Sequence, residues 1–179
     1  MLETYRLIQR EHEKFLAAAS VGIENFAHFY QLMRRLTMKT SARNQFFGKV
    51  DSIRNGPVNA EVAIALSSGD MIYAVITHES VETLDLKAGD EVWALVKAPW
   101  VMITEDDPGL KLSARNRLCG MVTRLIPGAV NTDVVITLNG NNTVSALITN
   151  ESAENLNLKE GGRACAVFKA SSVILGISA

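Results

Sequence analysis

Two sets of hydrogen-bond donors recur in this 179-residue sequence at a constant spacing of 72 residues. Each set combines four hydroxyl or amide side chains with one arginine and one lysine. The first set is Ser41, Arg43, Asn44, Thr77, Ser80 and Lys97, followed by Ala98; the second is Ser113, Arg115, Asn116, Thr149, Ser152 and Lys169, followed by Ala170. Two fixed cations neutralise a doubly charged anion, and hydroxyl and backbone N–H groups can saturate its oxygens. The repeated donors therefore predict an anion-binding site.

The strength of such contacts supports this prediction. Charge-assisted hydrogen bonds contribute about 1.5–3 kcal/mol each, so five or six outweigh the removal of water from a small dianion. Residues 25–50 contain no acidic side chain and five basic ones, which makes the local field positive. Each donor also has a purely structural interpretation: Ser80 as a helix cap, Arg43 as a solvated strand end, and Lys97 as an exposed strand residue. The recurrence of all donors together favours binding.

The repeat also predicts the elements that position these donors. Residues 41–101 align without a gap with residues 113–173, which indicates two structural units of one design. Apolar and polar residues alternate over residues 58–66, and polar clusters at 67–70 and 139–142 predict turns. Each unit contains five short strands, of which residues 101–104 close the first unit, and one helical turn capped by Ser80. This pattern is typical of a small oligonucleotide/oligosaccharide-binding (OB) type barrel.

The fold class predicted for the whole chain is mainly β, with two tandem OB-like barrels and an N-terminal helical arm. We divide the sequence into the arm at 1–39, a first domain at 40–104, an acidic linker at 105–112 and a second domain at 113–179. In the arm, apolar residues at helical spacing predict two helices that separate near Ser20. The apolar stripe must be buried, either against its neighbour or against a second subunit, and we expect a dimer.

Composition excludes several classes of protein. A net charge of −1 argues against binding of nucleic acid over the whole surface, and the 6% aromatic content argues against base stacking on the barrels. The sequence shows no export signal and no apolar run long enough for a membrane span, so we expect a cytoplasmic protein. Cys119 and Cys165 have no metal-ligand spacing and predict neither a disulfide nor a zinc site. The histidines and cysteines form no catalytic constellation, so we expect no enzyme.

Three motifs occur in both copies: Ser-Ala-Arg-Asn, then Ile-Thr-x-Glu-Ser, then Val-Lys-Ala or Phe-Lys-Ala. Together they resemble the Mop domain, a molybdate-binding domain of the TOBE type. The tandem pair over residues 40–177 resembles the di-Mop module of molbindins and of ModE-type molybdate-responsive transcriptional regulators. The segment from Tyr5 to Thr40 is similar to the linker that joins the winged-helix DNA-binding domain of those regulators to their di-Mop module.

This resemblance implies a cytoplasmic homodimer, or a higher oligomer, that binds molybdate or tungstate at subunit interfaces, with no organic cofactor and no direct protein–metal bond. One subunit supplies a serine and an arginine and the other the remaining donors, namely Ser41 and Arg43 from one and Thr77, Ser80, Lys97 and the amide of Ala98 from the other. The second set implied is Ser113, Arg115, Thr149, Ser152, Lys169 and Ala170.

The resemblance leaves two roles open for such a chain. One is the sensing and dimerising part of a regulator, since no winged helix precedes Tyr5 and operator DNA is a partner only of a chain that has one. The alternative is molbindin-like storage of molybdate in the cell, which the intact second set of donors favours.

Overall fold

The computed structural model describes residues 40–177, so the helices predicted for residues 1–39 lie outside the described residues. The first unit contains β1 (Asn44–Asn55), β2 (Asn59–Leu66), β3 (Met71–Thr77), α1 (His78–Thr83), β4 (Glu91–Val96), a first 3-10 turn (Ala98–Trp100) and β5 (Met102–Thr104). The second contains β6 (Asn116–Pro127), β7 (Asn131–Thr137), a 3-10 turn (Asn139–Asn141), β8 (Thr143–Thr149), α2 (Asn150–Asn155), β9 (Arg163–Phe168), a 3-10 turn (Ala170–Ser172) and β10 (Ile174–Gly176). No helix in this part of the chain is long and apolar enough to cross a bilayer.

The strands form two curled, five-stranded antiparallel sheets, as the alternating pattern predicts. The β1 and β6 strands show the same sequence of buried and exposed positions, and both shift register about halfway along. The inward residues of the two sheets form one core cluster, in which Phe46, Ile64 and Ile136 are almost completely buried. Full burial of each such side chain contributes about 1.5–3 kcal/mol, so this shared core holds the two units together.

The closing strands are exchanged between the two units. The strand orders are β10-β4-β1-β2-β3 and β5-β9-β6-β7-β8, so β5 pairs with β9 and β10 pairs with β4. The prediction that residues 101–104 close their own unit is therefore wrong. Alternation specifies which face of a strand is buried but not which sheet edge it joins.

Each unit contributes one buried asparagine that bonds to the edge strand of the other unit. The Asn44 amide donates to the carbonyl oxygen of Ser145 at 2.8 Å and accepts from the Ser145 N–H at 2.6 Å. The Asn116 amide makes the same pair of bonds with the backbone of Tyr73, at 2.8 and 2.7 Å. Both asparagines are only 1% exposed. They are therefore interface residues and not the anion donors that their recurrence suggested.

The cysteines also depart from the prediction, because Cys119 and Cys165 form a disulfide across β6 and β9. The two residues are 46 positions apart in the sequence, which conceals that they are direct cross-strand partners. The equivalent positions of the first unit hold Phe47 and Trp93, whose ring centroids are 5.0 Å apart. The same pair of positions is thus bridged covalently in one unit and by aromatic contact in the other.

Replacement of Asn116 by alanine should lower the free energy of unfolding by about 2–4 kcal/mol, because it leaves the N–H and C=O of Tyr73 without partners. Asn155→Ala, an exposed position in α2, is the matched control and should change stability by less than about 0.5 kcal/mol. Urea denaturation of both variants measures the difference. Equal midpoints for the two variants would show that the asparagine contacts do not hold the units together.

Candidate functional site

A pair of hydroxyl groups lies where β3 runs into α1. Thr77 caps this helix: its Oγ1 accepts from the backbone N–H of Ser80 at 3.1 Å and lies 2.8 Å from the Ser80 Oγ. The prediction that Ser80 is the cap is therefore wrong by three residues, since Thr77 takes that position. Thr149 and Ser152 repeat the arrangement at α2 with the same two distances. The cap holds both hydroxyls of each unit side by side.

The lysines occupy the exposed residue before each 3-10 turn. Lys97 and Lys169 both have extended backbone there, and Ala98 and Ala170 behind them are buried. The ammonium nitrogen of Lys97 lies 5.8 Å from the centroid of the Trp100 ring, within cation–π range. The chain crosses to the other unit at these turns, because β5 and β10 pair with strands of the opposite unit.

The exchange brings each hydroxyl pair next to the turn of the other unit. The turn Ala170–Ser172 packs against β3, and the turn Ala98–Trp100 packs against β8. Thr77 and Ser80 line one side of a groove of about 390 Å³ whose other side includes Ser171. Ser171 also lines an adjoining groove of about 310 Å³, together with Lys169 and Trp100. Thr77 and Ser80 of the first set therefore face the lysine turn of the second set.

The two arginines make ion pairs between the units. Arg43 donates to Asp133 Oδ1 at 2.8 Å. Arg115 donates twice to Glu61, at 3.0 and 2.7 Å, and its guanidinium lies 4.4 Å from the centroid of the Tyr73 ring. Ser41 and Ser113 are exposed and lie two residues before these arginines. The arginine side chains remain about half exposed, so they can still meet a ligand or a second subunit.

Sequence reasoning missed the acidic partners of these arginines. Glu61 and Asp133 are themselves 72 residues apart, so an acidic group recurs in the repeat alongside the basic ones. That recurrence was the available signal. The fold places each carboxylate on the unit opposite its arginine, which the sequence spacing alone does not show.

The fold and the repeated site define a protein with two tandem TOBE domains. A model of the TOBE domain matches residues 40–103 and 112–175. The matches cover well over half of the chain, so the protein belongs to the TOBE domain family.

The relatives are molybdenum proteins. The molybdenum transport protein ModE of Azotobacter vinelandii is 43% identical over 178 residues, which cover 97% of this chain and 66% of that protein. The molybdenum-pterin-binding protein MopA of Rhodobacter capsulatus is 38% identical over 99% of this chain and 67% of its own length. The chain therefore spans about two thirds of the length of these relatives.

A solved structure covers both TOBE domains. It is the cytoplasmic molybdate-binding protein ModG with molybdate bound, which is 50% identical, with a TM-score of 0.77. The similarity extends over 79% of this chain and 100% of the ModG chain.

Replacement of Thr77 by alanine should lower the free energy of unfolding by about 1 kcal/mol, because the amide of Ser80 loses its capping acceptor. Thr77→Ser keeps the acceptor and should retain most of the stability. Thr83→Ala, an exposed residue of the same helix, is the control for helix propensity. Thermal denaturation compares the three variants, and a Thr77→Ala variant as stable as Thr77→Ser would contradict the assignment of the cap.

Proposed function

We propose that this protein binds molybdate, or the similar tungstate oxyanion, as an effector ligand. The observation that carries this proposal is the meeting of a hydroxyl pair and a lysine turn from opposite units along two adjoining grooves. No carboxylate of the described residues lines either groove. The ModG relative, described as molybdate-binding, covers the same two domains and supports the choice of anion.

We further propose that each anion is held by donors from both units. Thr77 and Ser80 act with Lys169 and the backbone amide of Ala170, because the second turn packs against β3. By the same symmetry, Thr149 and Ser152 act with Lys97 and Ala98. In the sequence, Thr77 and Ser80 fall in the same donor set as Lys97. We assign them instead to the site of Lys169, because the exchanged strands bring the second turn to β3.

The serine–arginine pairs complete the two sets from a second subunit of a homodimer. Arg43 and Arg115 are each engaged by a carboxylate within the chain but keep about half of their surface exposed. A fixed guanidinium offers paired N–H groups to an oxyanion without a change of protonation state. Ser41 and Ser113 are exposed beside them and can add a hydroxyl each.

In the cell, the role we favour is the cytoplasmic sensing and dimerising part of a molybdate-dependent transcriptional regulator. Similarity to ModE of Azotobacter vinelandii extends over 97% of the chain, and so includes most of the arm as well as the two domains. An anion held between subunits stabilises one arrangement of the pair by its differential affinity. Operator DNA is a partner only of a full-length protein that carries a winged-helix domain.

Storage of molybdate is the second candidate. Both units carry a complete donor set by residue type, and the hydroxyl pairs of the two sets have the same geometry. The ModG structure is matched over its whole length. Oligomeric state and stoichiometry together separate the two roles: a higher oligomer that takes up well over one anion per chain favours storage, and a dimer favours sensing.

Calorimetric titration with molybdate tests the proposed site. Lys169→Ala and Lys97→Ala should each weaken binding by about 10- to 150-fold, the equivalent of one charge-assisted hydrogen bond. Lys111→Ala, in the exposed linker, should leave the affinity unchanged, and sulfate and phosphate should bind weakly because they are smaller. The absence of molybdate binding by the unmodified chain would refute the function.

Double-variant cycles on the same titration test the regrouped donors. Ser80→Ala should couple energetically with Lys169→Ala but add independently to Lys97→Ala, since groups that share one ligand are not additive. Coupling of Ser80 to Lys97 alone would restore the grouping by unit while leaving molybdate binding intact.

Trp100 should report binding by fluorescence. It is 45% exposed, lines the groove of Lys169 and lies near Lys97, whereas Trp93 is 1% exposed. We expect a saturable change in emission with molybdate. Trp100→Phe should abolish that change without a comparable loss of calorimetric affinity. A full-sized signal in Trp100→Phe would place the anion away from this groove.

A further inference from the structure

A second chemical cluster lies on the second sheet, at the disulfide. Thr104, Cys165 and Cys119 are direct partners across β5, β9 and β6. Residues paired in this way share one face of a sheet, so their side chains form a row. Asp106 follows two residues after Thr104 and adds a carboxylate to the row. The ligand atoms of Asp106, Cys119 and Cys165 all lie within 4.8 Å of one another.

The carboxylate is held in place next to the sulfur atoms. Asp106 Oδ1 lies 3.4 Å from the Sγ of Cys165, and its Oδ2 accepts from Arg163 Nε at 2.8 Å. Arg117 lies 3.9 Å from Oδ1. Cys165 is buried, Cys119 is half-buried and Asp106 is exposed, so an ion can approach the sulfurs from the side of the carboxylate.

The polar row lies on the second sheet and has no counterpart on the first. The equivalent row of the first sheet consists of Gly176, Trp93 and Phe47, in which two aromatic rings fill the space. The sheet therefore does not need sulfur at these positions. In addition, the Thr104 hydroxyl oxygen is buried and has no hydrogen-bond partner among the described residues. The row thus contains an oxygen donor that the fold does not use.

We propose that Cys119, Cys165 and Asp106 bind a thiophilic divalent cation when the disulfide is reduced. Two thiolates and one carboxylate are a ligand set that suits zinc and its analogue cadmium, with water in the fourth position. In a tetrahedral zinc site a sulfur and an oxygen ligand are roughly 3.5 Å apart, given bonds of about 2.3 and 2.1 Å. The 3.4 Å between Cys165 Sγ and Asp106 Oδ1 already meets this condition.

The chemistry balances with a small dithiol as the reductant. The dithiol gives two electrons and two protons and becomes a disulfide, while the Cys119–Cys165 bond breaks and each sulfur takes one proton. The cation then displaces these two protons, and each thiolate donates an electron pair to it. Re-oxidation of the pair requires the cation to leave, so occupancy of the site depends on the redox state of the cysteines.

Titration of the full chain with cadmium ions tests this proposal. The chain is reduced with a dithiol, freed of it by anaerobic gel filtration, and titrated while the ultraviolet thiolate-to-cadmium absorption is recorded. The reduced chain should bind one cadmium ion with this absorption, and the oxidised chain should show none. Asp106→Asn removes the charge of a direct ligand and should weaken binding by at least about 10-fold, the lower end of what loss of an outer-shell partner costs. Asp107→Asn, at the adjacent exposed carboxylate, should bind as the unmodified chain does.

Three outcomes would overturn the proposal. They are the absence of stoichiometric binding by the reduced chain, equal binding by the oxidised chain, and equal affinities for Asp106→Asn and Asp107→Asn. Because the Asp106 variant keeps both cysteines, its circular dichroism and disulfide content verify that a weakened affinity does not reflect loss of the fold. Cys119→Ser should remove the thiolate-to-cadmium absorption of the two-sulfur site.

Discussion

Backbone pairing at the edges of the two sheets is the constraint on which the structure depends. A sheet edge exposes a row of N–H and C=O groups that must find partners. Here β4 and β9 each receive the short closing strand of the opposite unit, and β3 and β8 are clasped by a buried asparagine amide from the opposite unit. The backbone requirements of each unit are therefore met by the other.

The candidate anion site follows from this exchange. Each lysine belongs to the segment that crosses between the units. Each hydroxyl pair, by contrast, is fixed at a helix cap that follows β3 or β8, and these strands remain in the sheet of their own unit. The exchanged strands bring the turn that follows Lys169 to Thr77 and Ser80, so the proposed anion site lies at the contact between the units.

The repeat made much of this fold predictable from sequence, since alternation over residues 58–66 and turn residues at 67–70 correspond to β2 and the turn before β3. The chemical types of the donors were equally readable. The partners of these donors could not be read from the sequence. Asn44 recurs in the repeat just as Arg43 does, but its buried amide bonds to the backbone of Ser145. Cross-strand neighbours such as Cys119 and Cys165 depend on register and connectivity, which periodicity does not encode.

The reciprocal exchange of the two closing strands has a consequence for the ancestry of such a chain. A first half cut off at the acidic linker would expose the edge of β4 that β10 now covers. Its own closing strand, β5, would lack its partner β9. Two identical halves would cover each other's exposed edges by exchanging their closing strands, as β5 and β10 do here. Gene duplication and fusion would then preserve a pre-existing pair, while freeing one half to replace its aromatic Phe47–Trp93 contact by a sulfur bridge.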